Sequence, residues 1–122
     1  MEYKAMNASL RLILELFSLV VYGVWGWRQA EGWPSYLLAA AVPLTAAAVW
    51  GVFAVPEDPS RSGRAPIPIP GWLRLILELV HFALAGAALS SLGASTTSTI
   101  FILLVVIHYG LAWERIRWLL DS

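Results

Sequence analysis

The sequence predicts an all-α integral membrane protein, a four-helix antiparallel bundle made of two helical hairpins. Three observations carry that expectation. The 122 residues are 59% hydrophobic and only 13% charged, against the roughly 25% charged residues of an ordinary soluble domain. Four segments, Ala8–Trp27, Pro34–Val55, Gly71–Leu92 and Ser98–Trp118, reach the ~20 residues, at about 1.5 Å of rise each, needed to cross ~30 Å of hydrocarbon. None of them keeps the polar stripe that a helix of a soluble bundle requires. Finally, the heptapeptide Leu-Arg-Leu-Ile-Leu-Glu-Leu occurs twice, at 10–16 and at 73–79, each time near the start of a long apolar run. A chain of this length holds one domain, residues 1–122.

Taken in order, residues 1–7 form a short polar tail before the first helix. That helix is too long for the apolar core of a signal peptide, carries Glu15 and lacks a small-residue cleavage site, so it stays as a span. Trp25, Trp27 and Trp33 cluster where the first helix ends and the second begins. An indole ring is apolar yet needs a partner for its N–H, which suits a membrane–water boundary. Residues 28–33 read as a tight turn, with Pro34 in the first turn of the next helix.

The second helix is rich in alanine at 39–41 and 46–48, a composition that lets backbones approach closely in lipid. Pro43 inside it predicts a kink or a freed carbonyl. The segment 56–70 holds five of the seven prolines and reads as an extended connector. The third helix starts at Gly71, a short polar loop at 93–97 follows, and the fourth helix closes the chain.

The repeat is uneven. At an offset of 63 residues, 7–27 matches 70–90 at eight positions, Gly23 with Gly86 among them, whereas the second helices match poorly. With two spans in each unit, the two copies share one orientation, a parallel repeat.

Charge is balanced overall, eight basic against eight acidic residues, which points to no nucleic-acid partner. Its distribution is one-sided. Lys4, Arg11, Arg61, Arg64, Arg74, Arg115 and Arg117 fall toward the side that holds both termini, and only Arg28 toward the other. That asymmetry predicts cytoplasmic termini. Cysteine is absent, which removes disulfides, thiol catalysis and thiolate metal sites.

The repeated heptapeptide together with Gly23-Val24-Trp25-Gly26, Ala41-Val42-Pro43-Leu44 and Val49-Trp50-Gly51-Val52-Phe53 carries a resemblance. So does His108-Tyr109 ahead of the run 114–120. Across nearly its whole length the chain resembles the YrdB-type family of small bacterial membrane proteins, a domain of unknown function with four predicted spans. The resemblance implies a bacterial plasma-membrane location and the same topology, and it implies no catalytic residues.

Two polar groups remain inside the apolar segments. Glu15 and Glu78 lie seven residues into their helices, roughly 10 Å deep, with Arg11 and Arg74 one turn shallower. Glu114 and Arg115 return to the same surface at the end of the fourth helix. These charges form one cytoplasmic-side layer. It is either a neutral clamp of ion pairs, a site for an ion or polar solute, or a proton-coupled carboxylate. His81 and His108 each lie ten residues from a helix end, about 15 Å deep and near mid-membrane. Glu78 and His81 share a helix face at the spacing of carboxylate-bridged di-iron bundles, but Ser18 stands where a second such histidine is needed. Hydrogen-bonded histidines packed against Tyr109, Ser18 or Thr45 are the plainer expectation.

The leading functional reading is a membrane protein without enzymatic activity, a homo-oligomer offering a pathway or pocket for a small ion or solute at the Arg/Glu layer. The candidate residues are Arg11, Glu15, Arg74, Glu78, His81, His108, Glu114 and Arg115. Two rival classes are a membrane redox or metal enzyme using Glu78, His81 and His108, and an accessory subunit recognised through loop 56–70. Neither a cofactor nor a metal is assigned, and no phosphate loop or nucleophile elbow is present.

Overall fold

The computed structural model of the chain describes residues 2–59 and 64–122, with side chains from Ala5 onward. Arg61 and the side chain of Lys4, both counted in the charge asymmetry, lie outside the described residues, as does the middle of loop 56–70. The described chain is all-helical apart from one short strand pair. Its elements are α1 (Glu2–Trp27), α2 (Trp33–Val52), β1 (Phe53–Ala54), β2 (Ile67–Pro68), α3 (Gly71–Ser91), α4 (Ser95–Leu111) and α5 (Trp113–Asp121).

Helix α1 begins before the first apolar segment does, because Asn7 is not a tail residue. It is buried, and its Nδ2 donates to the His108 carbonyl of α4 at 3.2 Å. At the other end, the Arg28 N–H closes the last turn on Val24 and Trp25, both at 3.1 Å. The Ser35 hydroxyl donates to the Ala30 carbonyl at 2.7 Å and fixes the turn into α2, which starts with Pro34 in its first turn. Trp27 and Tyr36 meet edge to face across that turn. Helix α2 then runs through Pro43 to Val52.

Helix α1 packs chiefly on α2 and also touches α3 and α4, while α3 packs on α4 and α5. The α1–α2 approach depends on Gly26. The Leu38 backbone lies where any side chain at that position would go. The core is formed by Leu14, Val21 and Tyr22 of α1, Phe82, Ala85 and Leu89 of α3, and Phe101, Val105 and Tyr109 of α4. By contrast α2 buries only Ser35 completely, and it makes few direct contacts with α3.

Three helices, covering Ala5–Trp27, Trp33–Val52 and Gly71–Ser91, are long and apolar enough to cross a membrane. A fourth crossing counts α4 and α5 as one bent span. The sequence predicts a single helix over 98–118 there, and the chain instead forms two helices bent by 70° at Ala112. The cause is tertiary. Leu119 of α5 is fully buried, and its backbone lies directly on Gly71 at the start of α3, where no side chain would fit. The Gly71 N–H donates to the Ser122 carbonyl at 3.3 Å. A straight helix would carry Leu119 away from that seat.

The proline-rich connector is likewise tied down. Phe53–Ala54 pairs in parallel with Ile67–Pro68, and the Ile69 N–H donates to the Ala54 carbonyl at 2.8 Å. This pairing also ends α2 at Val52, short of the Val55 that hydropathy predicts.

Candidate functional site

The repeated heptapeptide builds an ionic hub with one centre. Glu78 of α3 has 0% exposure and receives every arginine of the layer. Its Oε2 accepts from Arg74 Nε at 2.8 Å, Arg115 Nη2 at 2.7 Å and Arg11 Nη2 at 3.1 Å. Its Oε1 accepts from the Tyr109 hydroxyl at 2.8 Å and from Arg11 Nη1 at 3.3 Å. Arg11 also bonds its helix neighbour Glu15 through Nε at 3.0 Å. Arg115 forms a two-pronged pair with Asp58 at 2.8 and 3.1 Å. Three guanidinium groups therefore face three carboxylates, so no net charge is buried. Removing Glu78 at its centre would strand three guanidinium groups away from water.

Arg74 has a second task. Its Nη1 donates to the Trp50 and Phe53 carbonyls at the end of α2, the latter at 2.7 Å. A cation there satisfies backbone acceptors that a helix end leaves open. Arg11 and Arg74 also sit over the Trp50 ring, 5.3 and 4.6 Å from its centroid. Trp50 thus joins α2 to a layer whose charges come from the other elements.

The histidines occupy different settings. His108 is held by Asn7, whose Oδ1 lies 2.9 Å from Nδ1. Because Asn7 Nδ2 already donates to the His108 carbonyl, that Oδ1 accepts, which assigns the proton to Nδ1. His81 packs instead against Trp50 at 4.6 Å, Phe82 at 5.2 Å and Tyr22 at 5.3 Å between ring centroids. The Tyr22 hydroxyl donates to the His81 carbonyl. Both imidazoles keep a buried Nε2 without a hydrogen-bond partner among the described residues. No hydrogen bond or ring contact joins the two histidines there. Ser18 and Thr45 donate to carbonyls of their own helices, Leu14 and Ala41, not to either imidazole. Among the described residues no three His, Asp or Glu side chains converge as a metal site.

Beside the hub, where α2 leans away from α3, an apolar cavity of about 420 Å³ opens. Val42, Thr45 and Val49 form one wall and Val80, His81 and Leu84 the other, with Tyr22 and Trp50 also in the lining. Its size lies within the roughly 300–1,000 Å³ of ordinary small-molecule pockets.

Residues 9–106 match the family described as "Protein of unknown function (DUF2568)". The chain belongs to that family. The DUF2568 chain is also similar to "Uncharacterized protein YrdB" of Bacillus subtilis (strain 168). The two are 43% identical over 116 residues, covering 95% of this chain and 94% of that protein. No solved structure matches.

Of the residues singled out in this DUF2568 sequence, the fold brings together Arg11, Glu15, Arg74, Glu78 and Arg115. His81 stands at the groove and His108 at the α1–α4 contact, while Glu114 lies on the exposed side of α5. Four participants carried no clear signal. Asp58 is hidden between prolines, Asn7 resembles a tail residue, Tyr109 is expected only as a packing partner of the histidines, and Trp50 figures only in the family resemblance.

Proposed function

We propose that this is a multi-pass plasma-membrane protein without enzymatic activity that holds a lipid-soluble small molecule in the α2–α3 groove. The observation that carries the reading is the groove itself: an apolar cavity, open between two helices, with the side chains of Trp50 and His81 in its lining. In this reading α1 to α4 cross the bilayer as an antiparallel bundle, α4 being 17 residues or about 26 Å long. Helix α5 lies along the cytoplasmic face, with Trp113 and Arg117 exposed there. The Glu78 hub fastens the cytoplasmic end.

An ion or solute pathway through the Arg/Glu layer has less support. Both oxygens of Glu78 are already engaged, and Arg11 spends all three of its guanidinium nitrogens within the layer. Self-association keeps one supporting observation, the exposed small side chains Ala40, Ala47 and Ala48 on the outer face of α2.

The test is to purify the protein in mild detergent and identify co-purifying small molecules by mass spectrometry, beside a variant of the lining residue Ala46, Ala46→Phe, that fills the groove. The reading expects a molecule other than a phospholipid that is retained by the wild type and lost from the filled variant. Identical extracts from both proteins would contradict it.

A further inference from the structure

Helix α5 carries three rows of side chains, and the bundle accounts for only one of them. On a helix, positions three, four and seven apart share a face. Arg115 and Leu119 form the first row: Leu119 is fully buried on Gly71, and Arg115 reaches Asp58 and Glu78. Glu114, Arg117 and Asp121 form the second, all exposed and nearly across the helix from the first. Trp113, Ile116 and Leu120 form the third, to one side of both. Ile116 is half-buried against the core, but Trp113 and Leu120 are 59% and 57% exposed. A helix with separate charged and apolar rows suits the boundary between water and lipid.

Two contacts set the level of α5. Its Leu119 backbone lies on Gly71, the first residue of the α3 span, where hydrocarbon gives way to headgroups. From that level Arg115 reaches down to Glu78, about 10 Å further along α3. The 70° bend at Ala112 turns α5 across the direction of the spans. With its first row turned down onto α3, the second points to water and the third meets lipid from the side. Trp72, next to Gly71, is 54% exposed at the same level, and Leu111 at the end of α4 is 51% exposed. Indole rings favour that boundary. Charge plays little part, because the outer row sets one basic residue against two acidic ones and selects no anionic leaflet.

We infer that α5 is an in-plane membrane helix whose row of Trp113, Ile116 and Leu120 is embedded in the cytoplasmic leaflet, among the first methylenes of the acyl chains. The partner is the hydrocarbon edge of the leaflet and not a headgroup of given charge. One short helix thus joins lipid, the connector at Asp58 and the hub at Glu78. The inference rests on the reading of α1 to α4 as membrane crossings and is independent of the groove.

The chain has no cysteine, so a single introduced cysteine carries a nitroxide spin label at one known place. The full chain in phosphatidylcholine nanodiscs is labelled in turn at Trp113→Cys, Leu120→Cys, Arg117→Cys and Asp121→Cys. Ile107→Cys, on the exposed face of α4, is the control. Collisions with oxygen report lipid, and collisions with a water-soluble nickel chelate report water. Oxygen should exceed the chelate several-fold at 113, 120 and 107, and the order should reverse at 117 and 121. Nanodiscs that contain anionic phosphatidylglycerol should give the same pattern. In the unaltered chain, a phosphatidylcholine with a photoreactive diazirine early in one acyl chain should label the tryptic peptide 118–122.

Chelate collisions dominating at 113 and 120, with 107 still in lipid, would overturn the inference and leave the four crossings intact. Low collisions with both reagents at 113 and 120 would mean that protein, such as a second copy, covers the row, and would overturn it equally. Chelate collisions dominating at 107 as well would contradict the crossing of α4 itself. A lipid signal confined to the anionic nanodiscs would overturn the choice of hydrocarbon over headgroup. Peptide 118–122 without lipid label would decide against the inference even where a cysteine variant fails to fold.

Discussion

Arg11 of α1 reaches past its helix neighbour Glu15 and donates both Nη atoms to Glu78 of α3, at 3.3 and 3.1 Å. That relationship breaks the symmetry of the two heptapeptides. Within each copy the arginine bonds the glutamate one turn later, Arg11 with Glu15 and Arg74 with Glu78. Only the second glutamate collects arginines from three helices, so identical heptapeptides end with unequal roles. Glu15 is a partly exposed helper, and Glu78 is the buried centre.

Unequal roles predict unequal costs. Glu78→Leu leaves three guanidinium groups without their shared acceptor and should destabilise the protein by about 3–5 kcal/mol, as breaking a buried pair does. Glu15→Leu, with one bonded arginine and 24% side-chain exposure, should cost no more than about 1 kcal/mol. Unfolding in mixed micelles would measure both, and equal losses would refute the single-centre arrangement.

For an isolated Arg74–Glu78 pair, replacing both residues by leucine would restore much of what Arg74→Leu loses. Here Arg11 and Arg115 depend on the same carboxylate. The Arg74→Leu/Glu78→Leu double variant should therefore be no more stable than Arg74→Leu alone. A clear rescue in the same unfolding assay would show that the other two arginines do not need Glu78.

The seat of α5 on Gly71 is a backbone contact, and size at residue 71 should unseat it. Gly71→Val should expose the peptide bonds after Arg115 and Arg117 to trypsin, with cleavage several-fold faster than in the wild type. Unchanged cleavage would mean that α5 is held elsewhere.

Asp58 should act as the clasp between the connector and α5. Asp58→Asn weakens a two-pronged pair with Arg115 and should cost roughly 1–3 kcal/mol, the range for hydrogen bonds to a charged group. The variant should also be cut faster after Arg64 in the connector. A variant with wild-type stability and proteolysis would remove Asp58 from the account.

What the sequence shows follows the range of each interaction. Hydropathy finds the helices because length and apolarity are local, and the Arg–Glu pairs are legible because residues four apart share a helix face. The end of α2 at Val52 and the break at Ala112 are not legible. They depend on Phe53 pairing with Ile67 and Leu119 seating on Gly71, contacts made across the fold. The same holds for the site. The place of His81 along α3 can be counted from the sequence. But His108, ten residues before Trp118, falls in the last turn of α4 because the helix breaks at Ala112, and the direction each ring faces is set by neighbours. His81 turns toward Trp50 of α2 and His108 toward Asn7 of α1. Asp58 escapes notice because nothing in a proline-rich connector marks one acid as buried.

Topology gives a further check. Reporter domains fused at either terminus should behave as cytoplasmic, and a tag between Gly93 and Thr97 should be accessible from outside. A C-terminus found on the outer side would contradict four crossings.

The groove between α2 and α3 should hold a distinct small molecule instead of ordinary lipid. The most direct measurement replaces Leu84, in the groove wall, with a photoreactive benzoylphenylalanine and illuminates intact cells. A control places the same group at Ile107, on the exposed face of α4. Position 84 should give an adduct of one discrete mass that matches no phospholipid, and position 107 only phospholipid adducts. The same phospholipid adducts at both positions would contradict it.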